Sequence, residues 1–273
     1  MDKNILILGK GFIGERLRDA FDCRINGSII RSFSDARKLI KKYKPRVIIN
    51  CIGVTGRSNV DDCELDIDGV LLANSFIPVI LAEVALRSNI KLVHISSGCI
   101  FNYDYKKNKA VKEESQDYFF ELFYSRSKIY AERALEALAR DYNILIARIR
   151  IPLVNARHPK NILDKLLKYK QVIDIPNSVT YIPDFIRAIR HLIRIDAKGT
   201  YNVLNKGALR YPKLMRVYQK HAPSFKYTVI DFHKLGLART NLVMSTRKLE
   251  KSGFKVRNIN SVLEECVKEY LKS

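Results

Sequence analysis

Tyr124-Ser125-Arg126-Ser127-Lys128 sets a phenol and an ammonium four residues apart. On a helix, positions i and i+4 share a face. A lysine cation beside a phenol favours the phenolate, so such a pair can pass a proton to a carbonyl oxygen as hydride reaches the carbonyl carbon. Ser97 stands just past a short apolar run ending at Ile95. At the carboxyl edge of a parallel sheet, where ligands bind, its hydroxyl would hydrogen-bond the same carbonyl. Gly9, Gly11 and Gly14 follow a strand-like run and open an amphipathic stretch. Glycines in that setting let the backbone approach a pyrophosphate at a helix N-terminus. Taken singly, the glycines fit a ligand-free turn and the Tyr/Lys spacing fits chance. Taken together, they point to carbonyl reduction with a bound dinucleotide.

Folds selective for NAD hold the ribose hydroxyls with a carboxylate near the end of the second strand. Here residues 21–28 offer only Asp22, which lies too early, while Arg24 and Arg31 are candidates for a 2′-phosphate or plain surface charge. The expectation is NADP, used as NADPH.

These residues need a scaffold. Residues 4–8, 46–50, 91–95 and 143–149 read as short buried strands. They alternate with helical stretches from the glycine loop to Phe21, over 65–87 and over 125–140. That rhythm predicts an α/β fold, a doubly wound Rossmann-type parallel sheet covered on both faces. After Pro152 the rhythm weakens; 161–169 and 209–273 read as a smaller C-terminal substrate-binding lobe, with 200–204 returning to the sheet. The expected division is 1–150 with 178–205 for the NADP-binding domain, and 151–177 with 206–273 for the lobe.

The glycine loop, Ser97 and the Tyr124/Lys128 pair resemble the extended short-chain dehydrogenases, and within them the dTDP-4-dehydrorhamnose reductase group. Residues 50–60, 97–101, 148–152 and 175–180 are similar to the bifunctional UDP-4-keto-6-deoxyglucose 3,5-epimerase/4-reductases of rhamnose synthesis. The resemblance runs from Ile5 to about Leu249. It implies a nucleotide-linked 4-keto-6-deoxy sugar (UDP- or dTDP-) as substrate, the lobe closing over it, and a 6-deoxy-L-hexose such as L-rhamnose as product. It adds two epimerisation residues by matching motifs, Cys99 and Lys165. The C4 ketone acidifies the protons at C3 and C5, so an acid and a base on opposite faces can invert each centre. A structural Cys99, a phosphate-contacting Lys165 and His158 as rival base stay open. For the cofactor the resemblance implies Phe12, Ile13, Asn50, Cys51, Ile52, Gly53, Asn74, Arg150 and Pro152 beside the glycines, Tyr124 and Lys128. For the substrate it implies Thr55, Gly56, Arg57, Asn59, Asn161, Asn177, Ser178, Arg239 and Asn241, with Arg239 on the diphosphate. Ser245 stands where an acidic residue is usual, and the glycine loop is one residue shorter than is common. The alternatives are a reductase without epimerase activity and a non-catalytic NADP-binding regulatory subunit.

Composition narrows the rest. The net charge of +21 invites a nucleic-acid reading, but Lys and Arg are spread along the chain without a basic stripe or binding signature. The expected partner is the small nucleotide sugar, with no nucleic acid and no membrane; a homodimer is open. No unbroken apolar run reaches the ~20 residues of a membrane span, and the N-terminal residues lack a secretory pattern. Five scattered cysteines without metal spacing read as free thiols, and no metal is expected. The expected location is cytoplasmic. His94 reads as a core histidine, and residues 61–64 as a helix start with carboxylates favourable at its N-terminus.

Overall fold

A computed structural model describes residues 2–57, 59–104, 107, 109–236 and 238–273. In chain order the elements are β1 (Asp2–Leu8), α1 (Phe12–Phe21), β2 (Cys23–Asn26), α2 (Phe33–Tyr43), β3 (Val47–Asn50), α3 (Ile67–Leu71), α4 (Ile77–Arg87), β4 (Lys91–Ser97), α5 (Phe123–Leu138) and β5 (Ile144–Ile149). They continue as β6 (Pro152–Leu153), α6 (Ile162–Tyr169), β7 (Gln171–Ile173), β8 (Thr180–Tyr181), α7 (Ile182–Arg194), β9 (Gly199–Asn202), α8 (Tyr211–His221), β10 (Thr228–Ile230), α9 (Arg247–Lys251) and α10 (Leu263–Lys272).

The first unit comprises residues up to Ile100, Tyr118–Arg148 and Leu192–Tyr201. Its six-stranded sheet has the order β2-β1-β3-β4-β5-β9, with β1 parallel to both β2 and β3, and β3 parallel to β4. Leu6, Leu8, Ile48, Leu92, Ile144 and Ile146 face one helical layer and join Leu81, Val84 and Leu135 in a single core cluster. Their strand neighbours Ile5, Ile7, Ile49, Val93 and Leu145 are buried too. Since side chains alternate along a strand, the sheet is covered on both faces, as its continuous apolar runs predict. Each such aliphatic side chain contributes roughly 1.5–3 kcal/mol on burial. Chain order reverses between β1 and β3, which opens a crevice at their carboxyl ends.

The expected helix over 65–87 is divided. A 3-10 turn (Val60–Leu65) leads into α3, then a π-helical turn (Leu72–Phe76), then α4 with Pro78 in its first turn. By length and composition Ile67–Arg87 is apolar enough to cross a bilayer: an 18-residue window in it has mean hydropathy 2.0, and half of that window is buried. Ile77, Leu81, Ala82, Val84 and Ala85 lie in the sheet core, as in a covering helix of an α/β layer. The returning strand is Gly199–Asn202 rather than 200–204. Helix α5 begins at Phe123, so Tyr124 lies in its first turn and not before it.

The second unit comprises Phe101–Asp117, Ile149–His191 and Asn202–Ser273, and is only slightly smaller. It takes in 101–117, 149–150, 178–191 and 202–205, which the sequence division assigned to the first domain. The reason is local pairing: β8 pairs with β6, Thr180 N donates to Arg150 O at 2.8 Å, and Val111 pairs with Met244. Besides helices it holds two small sheets, β6-β8 and β7-β10. Its core gathers Leu163, Leu166, Tyr181, Leu214, Met215, Leu263, Val267 and Tyr270 from α6, β8, α8 and α10.

Candidate active site

In the first unit, Gly9 has φ +102°, a region that side chains rarely enter, and a Cβ there would meet the backbone of Cys51 and Ile52 at 2.8–3.0 Å. A Cβ on Gly14 would run into the Gly9 carbonyl oxygen. The loop from β1 is thus pressed against the loop from β3, with Cys51 N donating to Leu8 O at 2.8 Å. Gly11, the N-cap of α1, carries no side-chain cap and faces open space. This leaves the first-turn N–H groups of α1 directed at the crevice, with the positive end of the helix dipole behind them. Phe12 and Ile13 belong to that first turn, and Arg16 lies 5.0 Å from the Phe12 ring.

Asp22 ends α1 before β2 begins. Arg24 lies within β2, paired with Leu6 and stacked at 5.8 Å on the Tyr43 ring; it is not in the loop after the strand, where a 2′-phosphate reader is expected. Arg31 is in that loop and exposed, its backbone N–H donating to the Asp35 carboxylate of the α2 capping box. Lys10, which the motif reading passed over, lays its side chain across Gly27 at the same strand end. Its signal was its place inside the glycine loop.

The loop after β3 is braced from below. Asn50 is fully buried; its Oδ1 accepts from Ile52 N at 3.0 Å and its Nδ2 donates to His94 Nδ1 at 3.1 Å. His94 is therefore a core histidine, and burial followed by the Lys128 charge holds its pKa well below the usual value. Asn74, in the π-helical turn, accepts from Val54 N (2.9 Å) and donates to Val54 O and to Ser127 Oγ (3.0 and 3.1 Å). These two asparagines use their polar atoms to shape Cys51–Val54. Further on, Thr55 and Gly56 precede an exposed Arg57, and Asn59 forms a capping box with Asp62. Residues 60–65 are the 3-10 turn whose acidic start the sequence suggested.

The Ser97–Cys99 turn at the carboxyl end of β4 meets the first turn of α5, which carries Tyr124, and Lys128 follows one helical turn later. Ser97 Oγ accepts from Cys99 N at 3.1 Å, and Ser125 Oγ donates to Cys99 O at 2.6 Å, so the serine-to-cysteine turn is held from both sides. Cys99 packs against the cluster of Cys63, Val70, Phe123 and Tyr124. Helix α5 has no side-chain cap of its own, but Glu64 accepts from Phe123 N at 2.6 Å, fixing the turn that carries Tyr124. Lys128 is buried, and Gly53 makes room for it: a Cβ there would lie 2.9 Å from Lys128 Nζ. Burial lowers the Lys128 pKa to about 8, against the opposing attraction of Glu132. Burial also pushes the Cys51 thiol far up and the Cys63 thiol up to about 11, so Cys51 is no acid at neutral pH.

In the second unit, Lys165 is on α6. Burial lowers its pKa, helped by the neighbouring cations Lys160 and Arg239. Three cations that converge in this way suit a diphosphate and a neutral amine alike. His158 is engaged by its neighbours: its N–H donates to Asp164 and its Nδ1 accepts from Lys160 N at 3.0 Å. Asn161 is the buried N-cap of α6; it accepts from Leu163 N and Val154 N and donates to Val154 O and Ala156 O. Arg150 is buried and donates to Asn177 Oδ1 at 2.9 Å and to Thr240, both its hydroxyl (3.1 Å) and its carbonyl. Asn177 Nδ2 in turn donates to Asn241 Oδ1 at 2.7 Å. Ser178 Oγ accepts from Met244 N at 2.8 Å, and Pro152 is in β6. The polar groups of Asn161, Arg150, Asn177, Asn241 and Ser178 thus hold this unit's loops, including the one that presents Arg239. Arg239 itself is partly exposed. Among the described residues, no group of three or more His, Cys, Asp or Glu gathers as a metal site.

The chain is 29% identical over 285 residues to the bifunctional dTDP-4-dehydrorhamnose 3,5-epimerase/dTDP-4-dehydrorhamnose reductase of Arabidopsis thaliana, covering 97% of this chain and 93% of that protein. It is 30% identical over 240 residues to the trifunctional UDP-glucose 4,6-dehydratase/UDP-4-keto-6-deoxy-D-glucose 3,5-epimerase/UDP-4-keto-L-rhamnose-reductase RHM2 of the same plant, covering 84% of this chain and 36% of that protein. The chain therefore spans about a third of the length of the trifunctional relatives it matches. Among solved structures, the L780 UDP-rhamnose synthase of Acanthamoeba polyphaga mimivirus superposes with TM-score 0.87 at 26% identity, covering 97% of this chain and 98% of that one. The dTDP-4-dehydrorhamnose reductase of Bacillus anthracis in complex with NADP superposes with TM-score 0.82 at 20% identity, with the same coverages. Residues 4–272 match the RmlD substrate binding domain, and the chain belongs to that family.

Proposed function

We propose that this chain is an NADPH-dependent 3,5-epimerase/4-ketoreductase acting on a nucleotide-linked 4-keto-6-deoxy sugar, with UDP or dTDP as carrier. The observation that carries the reading is the Ser97–Cys99 turn at the carboxyl end of β4, bonded to Ser125 and packed against Tyr124, with Lys128 buried one turn along the same helix. The relatives named above act on such sugars.

The site fits a dinucleotide. The glycine loop packs against the β3 loop where a Cβ would collide, and the uncapped N-terminus of α1 faces open space at Gly11. Those N–H groups would hold the pyrophosphate, and Arg31 with Lys10 the 2′-phosphate. When bound, the nicotinamide supplies the hydride for C4. Lys128 is protonated below about pH 8 and favours proton release from Tyr124 toward the C4 oxygen. Ser97 donates to the same oxygen and stabilises the negative charge that develops there.

Epimerisation uses the same ketone. Lys165, neutral more often than an ordinary lysine, removes a proton from C3 or C5, and electrons move to the C4 oxygen as an enolate held by Ser97 and Tyr124. Cys99 returns a proton to the carbon from the other face, inverting it. Arg239 and Lys160 pair with the diphosphate.

The test is isotope exchange without NADPH. The native chain should exchange the C3 and C5 protons of a 4-keto-6-deoxy-glucose nucleotide for solvent deuterium, since enolisation needs no hydride. Cys99→Ser and Lys165→Met should each slow exchange severely yet spare reduction of the pre-epimerised ketone. Reduction without any exchange in the native chain would leave a reductase alone. Failure of both reactions with tight NADPH binding would indicate a non-catalytic subunit.

A further inference from the structure

Tyr124, Lys128, Glu132 and Glu136 follow one another at four-residue spacing along α5, and so share one helix face. The proposed chemistry uses the first two. Glu132 comes next, is fully buried, and has both carboxylate oxygens occupied. The Ser96 hydroxyl donates to Oε1, and Arg148 donates to Oε2 from Nε at 2.7 Å, with a guanidinium NH2 at 2.6 Å. Arg148 is fully buried as well, and also meets Glu136 Oε1 at 3.0 Å; Thr200 Oγ1 donates to that same oxygen at 3.1 Å. One guanidinium thus stands between two carboxylates, with a buried ammonium one helical turn away.

We propose that Glu132 is a positioning residue for carbonyl reduction: clamped by Ser96 and Arg148, its carboxylate is the fixed counter-charge for the Lys128 ammonium. The inference rests on the reading of Tyr124 and Lys128 given above.

A buried ion pair is a poor source of stability, since well-packed apolar residues in its place are often as stabilising or more so. Its position decides what else it does. Lys128 is taken out of water, which disfavours its charge, and Glu132 is the strongest influence opposing that loss. The other groups facing Lys128 are Cys51 after β3, Cys63 in the 3-10 turn, His94 on β4 and Tyr124 on its own helix. Burial holds both thiols in the neutral form, and burial and the Lys128 charge keep His94 neutral. Glu132 is then the anion that sustains the ammonium. The clamp also sets geometry. Ser96 immediately precedes Ser97 on β4, so the Ser96–Glu132 hydrogen bond ties the strand end bearing Ser97 to the helix bearing Tyr124 and Lys128.

The test follows the Lys128 ionisation in the full, cofactor-free chain by NMR of isotope-labelled lysine, with Lys128→Met used for assignment. In parallel, the pH profile of NADPH-dependent reduction of a pre-epimerised ketone is measured. The native midpoint should lie near pH 8. Glu132→Gln should move both the Lys128 midpoint and the basic limb of the rate profile down by about one pH unit, and Glu132→Asp should restore them. Ser96→Ala keeps the charge, so it should lower kcat several-fold with the midpoint in place. If Glu132→Gln alone does not fold, Glu132→Gln/Arg148→Met removes both members of the pair and should show a smaller downward movement, because loss of the more distant Arg148 cation offsets part of the effect. A Lys128 midpoint unchanged in a folded variant lacking the carboxylate overturns the proposal. The NMR arm needs neither substrate nor NADPH; a native chain that does not reduce the ketone would overturn the functional reading, and the midpoint would still decide the Glu132–Lys128 coupling.

Discussion

Gly53→Ala is the smallest change that displaces the Lys128 ammonium, to which the proposed function gives a catalytic role, without altering that residue. The added methyl would lie 2.9 Å from Lys128 Nζ and 3.2 Å from Asn74 Oδ1. Van der Waals contact begins near 3.5 Å, so one of these neighbours must yield by about half an ångström. Asn74 is locked by bonds to Val54 and Ser127, so the flexible end of Lys128 is what moves. Misplacement of a catalytic group by about 1 Å can cost around 100-fold. A half-ångström shift should therefore lower kcat/KM for reduction by roughly tenfold to 100-fold, or ~1.4–2.7 kcal/mol in the barrier. The fold should lose little, since the crowded atom ends a long side chain. Steady-state kinetics with NADPH and pre-epimerised ketone, beside a urea unfolding curve, separate the two effects. Near-native kcat/KM in a stably folded Gly53→Ala protein would refute the claim that the seat of Lys128 matters.

Tyr124→Phe should lower reduction by orders of magnitude while NADPH binding, read by fluorescence titration, changes little. The native chain should bind NADPH more tightly than NADH. Arg31→Ala should shrink that gap and Arg24→Ala, whose guanidinium stacks on Tyr43 within β2, should leave it; equal affinities in the native chain would show the loop to be misread. The two half-reactions should respond to pH with opposite sign. Lysine is cationic below its pKa, so reduction should fall above about pH 8 as Lys128 loses its proton, whereas deuterium exchange should rise with pH as Lys165, its pKa lowered by burial, becomes neutral. Arg148→Met leaves the Glu132 carboxylate buried without its cation and should cost about 3–5 kcal/mol, measured by urea unfolding.

The strands and the glycine loop were legible in the chain because their signals are local. Continuous apolar runs mark strands buried on both faces, and only glycine serves where φ is +102° at Gly9. The Tyr124/Lys128 spacing was legible for the same reason, since i and i+4 meet on any helix. The family resemblance added Cys99 and Lys165, which no spacing within the chain singles out. Local pattern does not report what lies across space. Whether Arg24 faces a ligand or the Tyr43 ring depends on where β2 starts, and that is decided by its register with β1. Asn50, Asn74, Asn161 and Asn177 are expected ligand contacts, and what the sequence does not show is that folding also gives their amides backbone and side-chain partners, because a buried polar group left unpaired is costly. The assignment of 101–117 and 178–191 to the second unit follows from pairings such as β6 with β8 and Val111 with Met244. Glu132 and Arg148, sixteen residues apart in the chain, become a buried pair only when α5 packs on β4 and β5. Charges in sequence carry no sign of whether water will reach them, and burial is what makes this pair matter to Lys128.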